Sequence, residues 1–127
     1  MKQEYKELLL KDLCARLPYG VEVEYNNSTC EVLSIDKYNE ELTIWKMTGY
    51  SPVVKLEEVK PYLFPLSSMT EEQDKEYALL QTSAGKEGFL YAWNCATMVQ
   101  WLIENHFDYN GLIPKGLAND ATNLNIY

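Results

Sequence analysis

An α+β fold is predicted for this chain: an N-terminal helix, a small four-stranded antiparallel SH3-like barrel or bent sheet, two C-terminal helices and an irregular tail. Three observations lead there. An i, i+4 apolar stripe opens the chain. Four short runs of alternating or continuous apolar residues, separated by turn residues, fill residues 21–59. Capping chemistry and helical apolar spacing return after residue 69.

The spacing of Tyr5, Leu9, Leu13 and Leu17, with Leu10 and Cys14 beside it, predicts a helix over residues 3–17. Lys6, Glu7, Lys11 and Asp12 fall outside that stripe. Pro18 disfavours helical geometry at Leu17, and Gly20 completes the break. Val21, Val23 and Tyr25 then alternate with Glu22 and Glu24, as in a strand with one buried and one acidic face. Asn26-Asn27-Ser28 is turn chemistry. Cys30, Val32, Leu33 and Ile35 mark a second strand, and Leu42, Ile44 and Trp45 a third. Val53-Val54 leads into Leu56–Val59, a short strand or single helical turn. Strands this short close into a small barrel, which removes exposed edges, or remain an open antiparallel sheet.

Lys60-Pro61-Tyr62-Leu63-Phe64-Pro65-Leu66 reads as an extended connector packed on the strands. Thr70-Glu71-Glu72-Gln73 matches a capping box, and Gln73, Tyr77 and Leu80 share one face of the helix that follows and ends before Ser83. A last helix is predicted from near Asn94 to Asn105 or His106, with Ala96, Val99, Leu102, Ile103 and His106 on one side and Met98 and Trp101 widening the apolar arc. Residues 1–127 form one domain in this reading, with helix and barrel in 1–66 and a helical part in 67–127 packed on it.

Acids outnumber Lys plus Arg by 19 to 11, a formal charge of −8. That balance repels phosphate backbones and anionic lipid, disfavouring nonspecific nucleic-acid or membrane binding. No apolar run is long enough for a membrane span, and the first residues lack a signal-peptide pattern, so a cytoplasmic location is expected. Cys14, Cys30 and Cys95 are odd in number and far apart, hence expected to be reduced and mostly buried.

No assembled chemistry is visible. His106 is the single histidine, and His106 with Asp108 lacks a third metal ligand. On one helix Cys95 and His106 would stand about 16 Å apart, too far for a nucleophile pair. The pairs Glu40-Glu41, Glu57-Glu58 and Glu71-Glu72 fit solvated turns and helix starts. Neither a phosphate-cradling loop nor a calcium loop occurs. No metal or cofactor is therefore expected.

Aromatic residues concentrate towards the C-terminus: Phe89, Tyr91, Trp93, Trp101, Phe107 and Tyr109. Within them, Trp101, His106, Phe107, Asp108, Tyr109 and Asn110 are the candidate partner-binding residues, because they combine stacking and hydrogen-bonding groups on an irregular segment. The opposite reading has His106 and Asp108 capping the last helix while Phe107 and Tyr109 plug the core.

Two segments, Lys60-Pro61-Tyr62-Leu63-Phe64-Pro65-Leu66-Ser67-Ser68-Met69-Thr70-Glu71-Glu72 and Trp101-Leu102-Ile103-Glu104-Asn105-His106-Phe107-Asp108-Tyr109-Asn110-Gly111-Leu112-Ile113, resemble a family of small bacterial and prophage proteins without an established activity. Members of that family carry a basic residue where Phe64 stands, a second His at Asn105 and commonly an Arg at Asn110. The resemblance implies a mobile-element setting in a bacterial cytoplasm and carries over no catalytic residue. The expected function is a noncatalytic module binding a protein partner. The alternatives are a nucleic-acid-associated protein, acting through a local basic face or by acidic mimicry of DNA, and an enzyme with a dispersed site near His106 and Asp108.

Overall fold

The computed structural model describes the backbone of residues 1–82 and 88–127 and the side chains of residues 1–80 and 96–127. Helix α1 spans Gln3–Arg16 and runs into a single 3-10 turn at Leu17–Tyr19, which Pro18 starts and Gly20 ends in a positive-φ conformation. Strands β1 (Glu22–Tyr25), β2 (Ser28–Asp36), β3 (Glu41–Trp45), β4 (Val53–Lys55) and β5 (Lys60–Leu63) follow, with a 3-10 turn at Leu56–Glu58 between the last two. Helices α2 (Glu71–Thr82) and α3 (Gly88–Glu104) come next, and the two-residue strand β6 (Asn119–Asp120) lies in the tail.

The fold is α+β: among the described residues there are three α-helices and a six-stranded mixed sheet of order β4-β3-β2-β1-β5-β6. The sheet does not close into a barrel, and it has six strands where four were expected. Two misread segments account for the difference. Pro61 and Pro65 made Lys60–Leu66 read as a connector, yet Lys60–Leu63 pairs antiparallel with β1, Glu24 opposite Lys60 and Val23 opposite Pro61. The Val32 amide donates to the Val21 carbonyl, so Val23 turns its hydrogen-bonding groups towards β2. Pro61 therefore faces β1 at a position that needs no N–H. The tail, read as irregular, supplies β6, which adds in parallel beside Tyr62 and Leu63.

The β1–β2 hairpin turns on Asn26 and Asn27, both at positive φ, with Tyr25 opposite Ser28. Two such residues make the two-residue turn whose twist matches the strands. Between β2 and β3 the register shifts at Leu33, a bulge that leaves this residue exposed.

The inner face of the sheet packs Val23, Cys30, Val32, Leu42, Ile44 and Val54 against Leu9 and Leu13 of α1 and against Leu63, Leu112 and Leu117. A second cluster joins Trp101, Leu102 and Phe107 to Phe64, Met69, Tyr77 and Leu80. The capping box of α2 forms as expected: the Gln73 amide donates to Thr70 Oγ1 and the Thr70 amide to Gln73 Oε1.

Several expectations on burial are corrected. Asp12, assigned to the polar side of the first helix, is fully buried with Arg16. Cys30 is buried, where desolvation pushes its thiol pKa up, but Cys14 is exposed on the outer side of α1. Helix α3 begins at Gly88 rather than near Asn94. Of the residues placed on one apolar side of this helix, Leu102 and Ile103 are buried, whereas Ala96 and Val99 are exposed and line a shallow groove with Cys14, Ala15 and Pro18 of the α1 end. The side chains of Phe89, Tyr91, Trp93 and Cys95 lie outside the described residues.

Candidate functional site

The chain from Trp101 to Ile113 holds every candidate binding residue singled out in the sequence, and each makes internal contacts, although the buried His106 Nδ1 has no hydrogen-bond partner among the described residues. Helix α3 ends in a Schellman arrangement: the His106 amide donates to the Ile103 carbonyl and the Phe107 amide to Leu102. His106 occupies the left-handed position usually given to glycine, at φ +63°. Phe107, buried at 1% exposure, stacks on Trp101 at 5.7 Å between ring centroids. Trp101 stacks in turn on Tyr77 and donates its indole N–H to Glu76.

From His106 onward the backbone zips onto Phe64. The Phe64 amide donates to the His106 carbonyl and the Asp108 amide to the Phe64 carbonyl. The two segments that carry the family resemblance are thus hydrogen-bonded to one another. Asp108 accepts the Leu112 and Ile113 amides, one on each carboxylate oxygen, and so closes the next turn. Its carboxylate is committed there and forms no hydrogen bond to His106.

Beneath this segment lies a pair that sequence inspection passed over. Arg16 donates through Nε to Asp12 Oδ2 at 2.7 Å and through Nη2 to Oδ1 at 3.2 Å, and both residues have 0% exposure. Nη2 also donates to the Phe107 carbonyl at 2.7 Å, Asn110 Nδ2 donates to Asp12, and the guanidinium lies over the Tyr109 ring at 5.3 Å. A clue was present: Arg16 is the sole arginine among eleven basic residues. A forked, bidentate contact is the task for which lysine cannot substitute.

Tyr127 completes the enclosure. Its ring lies flat on His106, 3.5 Å away, and its hydroxyl accepts the Glu22 amide and donates to the Tyr62 carbonyl. The hydroxyl stands in the β1–β5 ladder where register would place the next direct bond. Burial pushes its pKa up to about 12, so it stays protonated and able to donate.

His106 is held at a pKa of about 4, first by desolvation and then by the Arg16 charge. A general base at neutral pH needs a proton affinity near that pH. This imidazole is neutral there, and its ring lies stacked on Tyr127. Its depressed pKa has a consequence for stability. The unfolded chain binds a proton below its ordinary pKa of 6.5, whereas the folded chain does so only near 4. Stability is therefore full above pH 6.5 and declines as pH falls towards 4, by about 1–2 kcal/mol after allowance for solvent screening of a half-buried ring. His106→Asn, which keeps a residue tolerant of positive φ, is expected to flatten this window in urea melts taken from pH 7 to pH 4.

The outer face of the sheet offers a different arrangement. Register places Glu22 opposite Glu31 and Glu31 opposite Trp45, a row across three strands. With Thr29, Met47 and Ile126 these residues line a cleft of about 260 Å³. Trp45 is 39% and Met47 87% exposed. Desolvation, then the neighbouring Glu31, raises the Glu22 pKa above the ordinary carboxylate value.

Comparison with family models, curated proteins and solved structures finds no match for the chain. Among the described residues no group of His, Cys, Asp and Glu is placed to hold a metal ion, and no helix is long and apolar enough to cross a membrane. Function therefore has to be read from side chains whose bonding the fold leaves open. Glu22 and Trp45 were read in the sequence only as strand residues, and Glu31 was not singled out. Their spacing of nine and fourteen positions carries no signal until the strands pair.

Proposed function

We propose that this chain is a noncatalytic protein-interaction module that docks a partner on the outer face of β1, β2 and β3, in the bacterial or prophage setting implied by the resemblance. The observation that carries the reading is the exposed pair Trp45 and Met47 beside a cleft on the outer face of the sheet. Aromatic and Met side chains supply much of the contact energy at interfaces, whereas single-sign charged surface is usually depleted at their centres. The internal bonding of Asp108 and the low pKa of His106 support the noncatalytic part. Strand order β4-β3-β2-β1-β5, with a 3-10 turn between β4 and β5, supports reading this portion as an opened SH3-like sheet.

The test is affinity capture from a bacterial lysate with three proteins. Trp45→Ala/Met47→Ser is expected to lose the partner retained by the unmodified chain, by on the order of tenfold. Tyr109→Ala is expected to keep it, since Tyr109 stacks on Arg16 rather than on a free surface. The reverse pattern would return the binding surface to Trp101, His106, Phe107, Asp108, Tyr109 and Asn110. Equal capture by all three would remove the sheet face.

A further inference from the structure

Resting on that reading of the sheet face, we propose that the cleft between Glu22, Glu31 and Trp45 receives a Lys or Arg side chain from a basic segment of the partner protein. The first support is the pairing itself. Glu22 and Glu31 face each other at a non-hydrogen-bonded position, since the flanking Val32 amide bonds Val21, and side chains approach most closely there. Like charges directly opposite on a sheet are destabilising.

Among the described residues neither carboxylate has a compensating cation within ion-pair distance. Lys46, beside Trp45 in sequence, instead lies over the Tyr25 ring at 5.0 Å. Lys60 pairs across from Glu24, one row away. Five acids elsewhere among the described residues are ion-paired: Glu40 and Glu57 with Lys6, Glu41 with Lys55, Glu71 with Lys75, and Asp12 with Arg16. A cation entering from outside would cancel the repulsion that the fold leaves between Glu22 and Glu31.

The walls fit the rest of a long basic side chain. Trp45 presents an indole to the charge, a contact that is favourable where the cation is partly desolvated. Met47 and Ile126 offer apolar cover for the methylene stem. At about 260 Å³ the cleft is below the range of roughly 300–1,000 Å³ that holds drug-sized ligands, and is suited to one side chain. Exposed Met47 at its rim extends the contact to a chain rather than to a small free amine.

The experiment uses the full chain, isotopically labelled, titrated with a seven-residue peptide of three lysines separated by glycine pairs. Its arginine and glutamate counterparts and spermidine are the other probes. The basic peptides are expected to move the Glu22, Glu31 and Trp45 signals, with the glutamate peptide silent. Glu22→Gln/Glu31→Gln and Trp45→Ala are each expected to weaken binding on the order of tenfold. Glu71→Gln/Glu72→Gln, which changes net charge equally on exposed helix positions, is expected to weaken it less than about twofold.

Equal weakening by the two double-glutamine variants would reduce the effect to overall charge and overturn the site. Spermidine binding as tightly as the peptides, with the same variant dependence, would overturn the protein segment as occupant. The two readings fail separately. If Glu22→Gln/Glu31→Gln captures the lysate partner as well as the unmodified chain while Trp45→Ala/Met47→Ser does not, the docking face stands and the cation site falls.

Discussion

Arg16→Met is expected to destabilise the chain by about 3–5 kcal/mol, the usual cost of leaving one member of a buried ion pair uncompensated. Met fills much of the same space, so the loss is chiefly polar. Asp12, with no exposure, loses both guanidinium bonds and keeps only the Asn110 amide, and the Phe107 carbonyl loses the stronger of its two donors and keeps the Tyr109 amide. A domain of this size commonly has only about 5–15 kcal/mol of stability in all, so the variant should sit near the limit of folding at room temperature. Urea denaturation followed by circular dichroism gives the measurement.

The double variant Asp12→Leu/Arg16→Met separates charge from packing. Replacing both partners by apolar residues is often close to neutral. Recovery of most of the lost stability is expected, less about 1 kcal/mol for the half-buried Asn110 amide left without its acceptor. A single Arg16→Met variant within 1 kcal/mol of the unmodified chain would show that the buried pair is not the anchor of the C-terminal segment.

Phe107→Ala is expected to cost about 3–5 kcal/mol, as large-to-small changes at fully enclosed aromatic positions do. The ring is sandwiched by contacts to Trp101 and Phe64, and its removal opens a cavity between α3 and the Phe64 segment. At roughly 3–5 °C per kcal/mol for a chain of this length, the melting temperature should fall by about 10–20 °C. Tryptophan emission should shift as Trp101 loses a stacking partner. Tyr109→Ala, by contrast, removes a half-buried ring from the face of Arg16 and should cost about 1–2 kcal/mol. Equal losses for the two would contradict the division between a buried plug and a covering ring.

These costs bear on where function resides. Apart from the unpartnered His106 Nδ1, the polar and aromatic groups of Trp101, Phe107, Asp108, Tyr109 and Asn110 have internal partners, so changes there should act mainly through stability. Changes at Glu22, Glu31 and Trp45 should act mainly through binding, because these side chains project from the outer face and support no core contact.

The linear sequence determined what local physics can express. The apolar stripe of Tyr5, Leu9 and Leu13 specified α1, strict alternation specified β1, paired asparagines specified the first hairpin, and Thr70 with Gln73 specified the start of α2. In each case the interacting residues lie within four positions of one another. The sequence also carried two readings for residues 106–109, a surface and a plug, but not the packing around them, in which Phe107 is buried and Arg16 and Tyr127 reach the segment from positions far away in the chain.

Tertiary structure alone decided the remainder. Lys60–Leu63 became a strand because β1 offered it a partner and the register put Pro61 where no N–H is needed. Asp12 became a core residue because Arg16 and Asn110 surround it, which helical periodicity reads as polar. Glu22, Glu31 and Trp45 became one site because antiparallel pairing sets residues far apart in sequence side by side. Pairing register is a property of strands together, and no residue carries it alone.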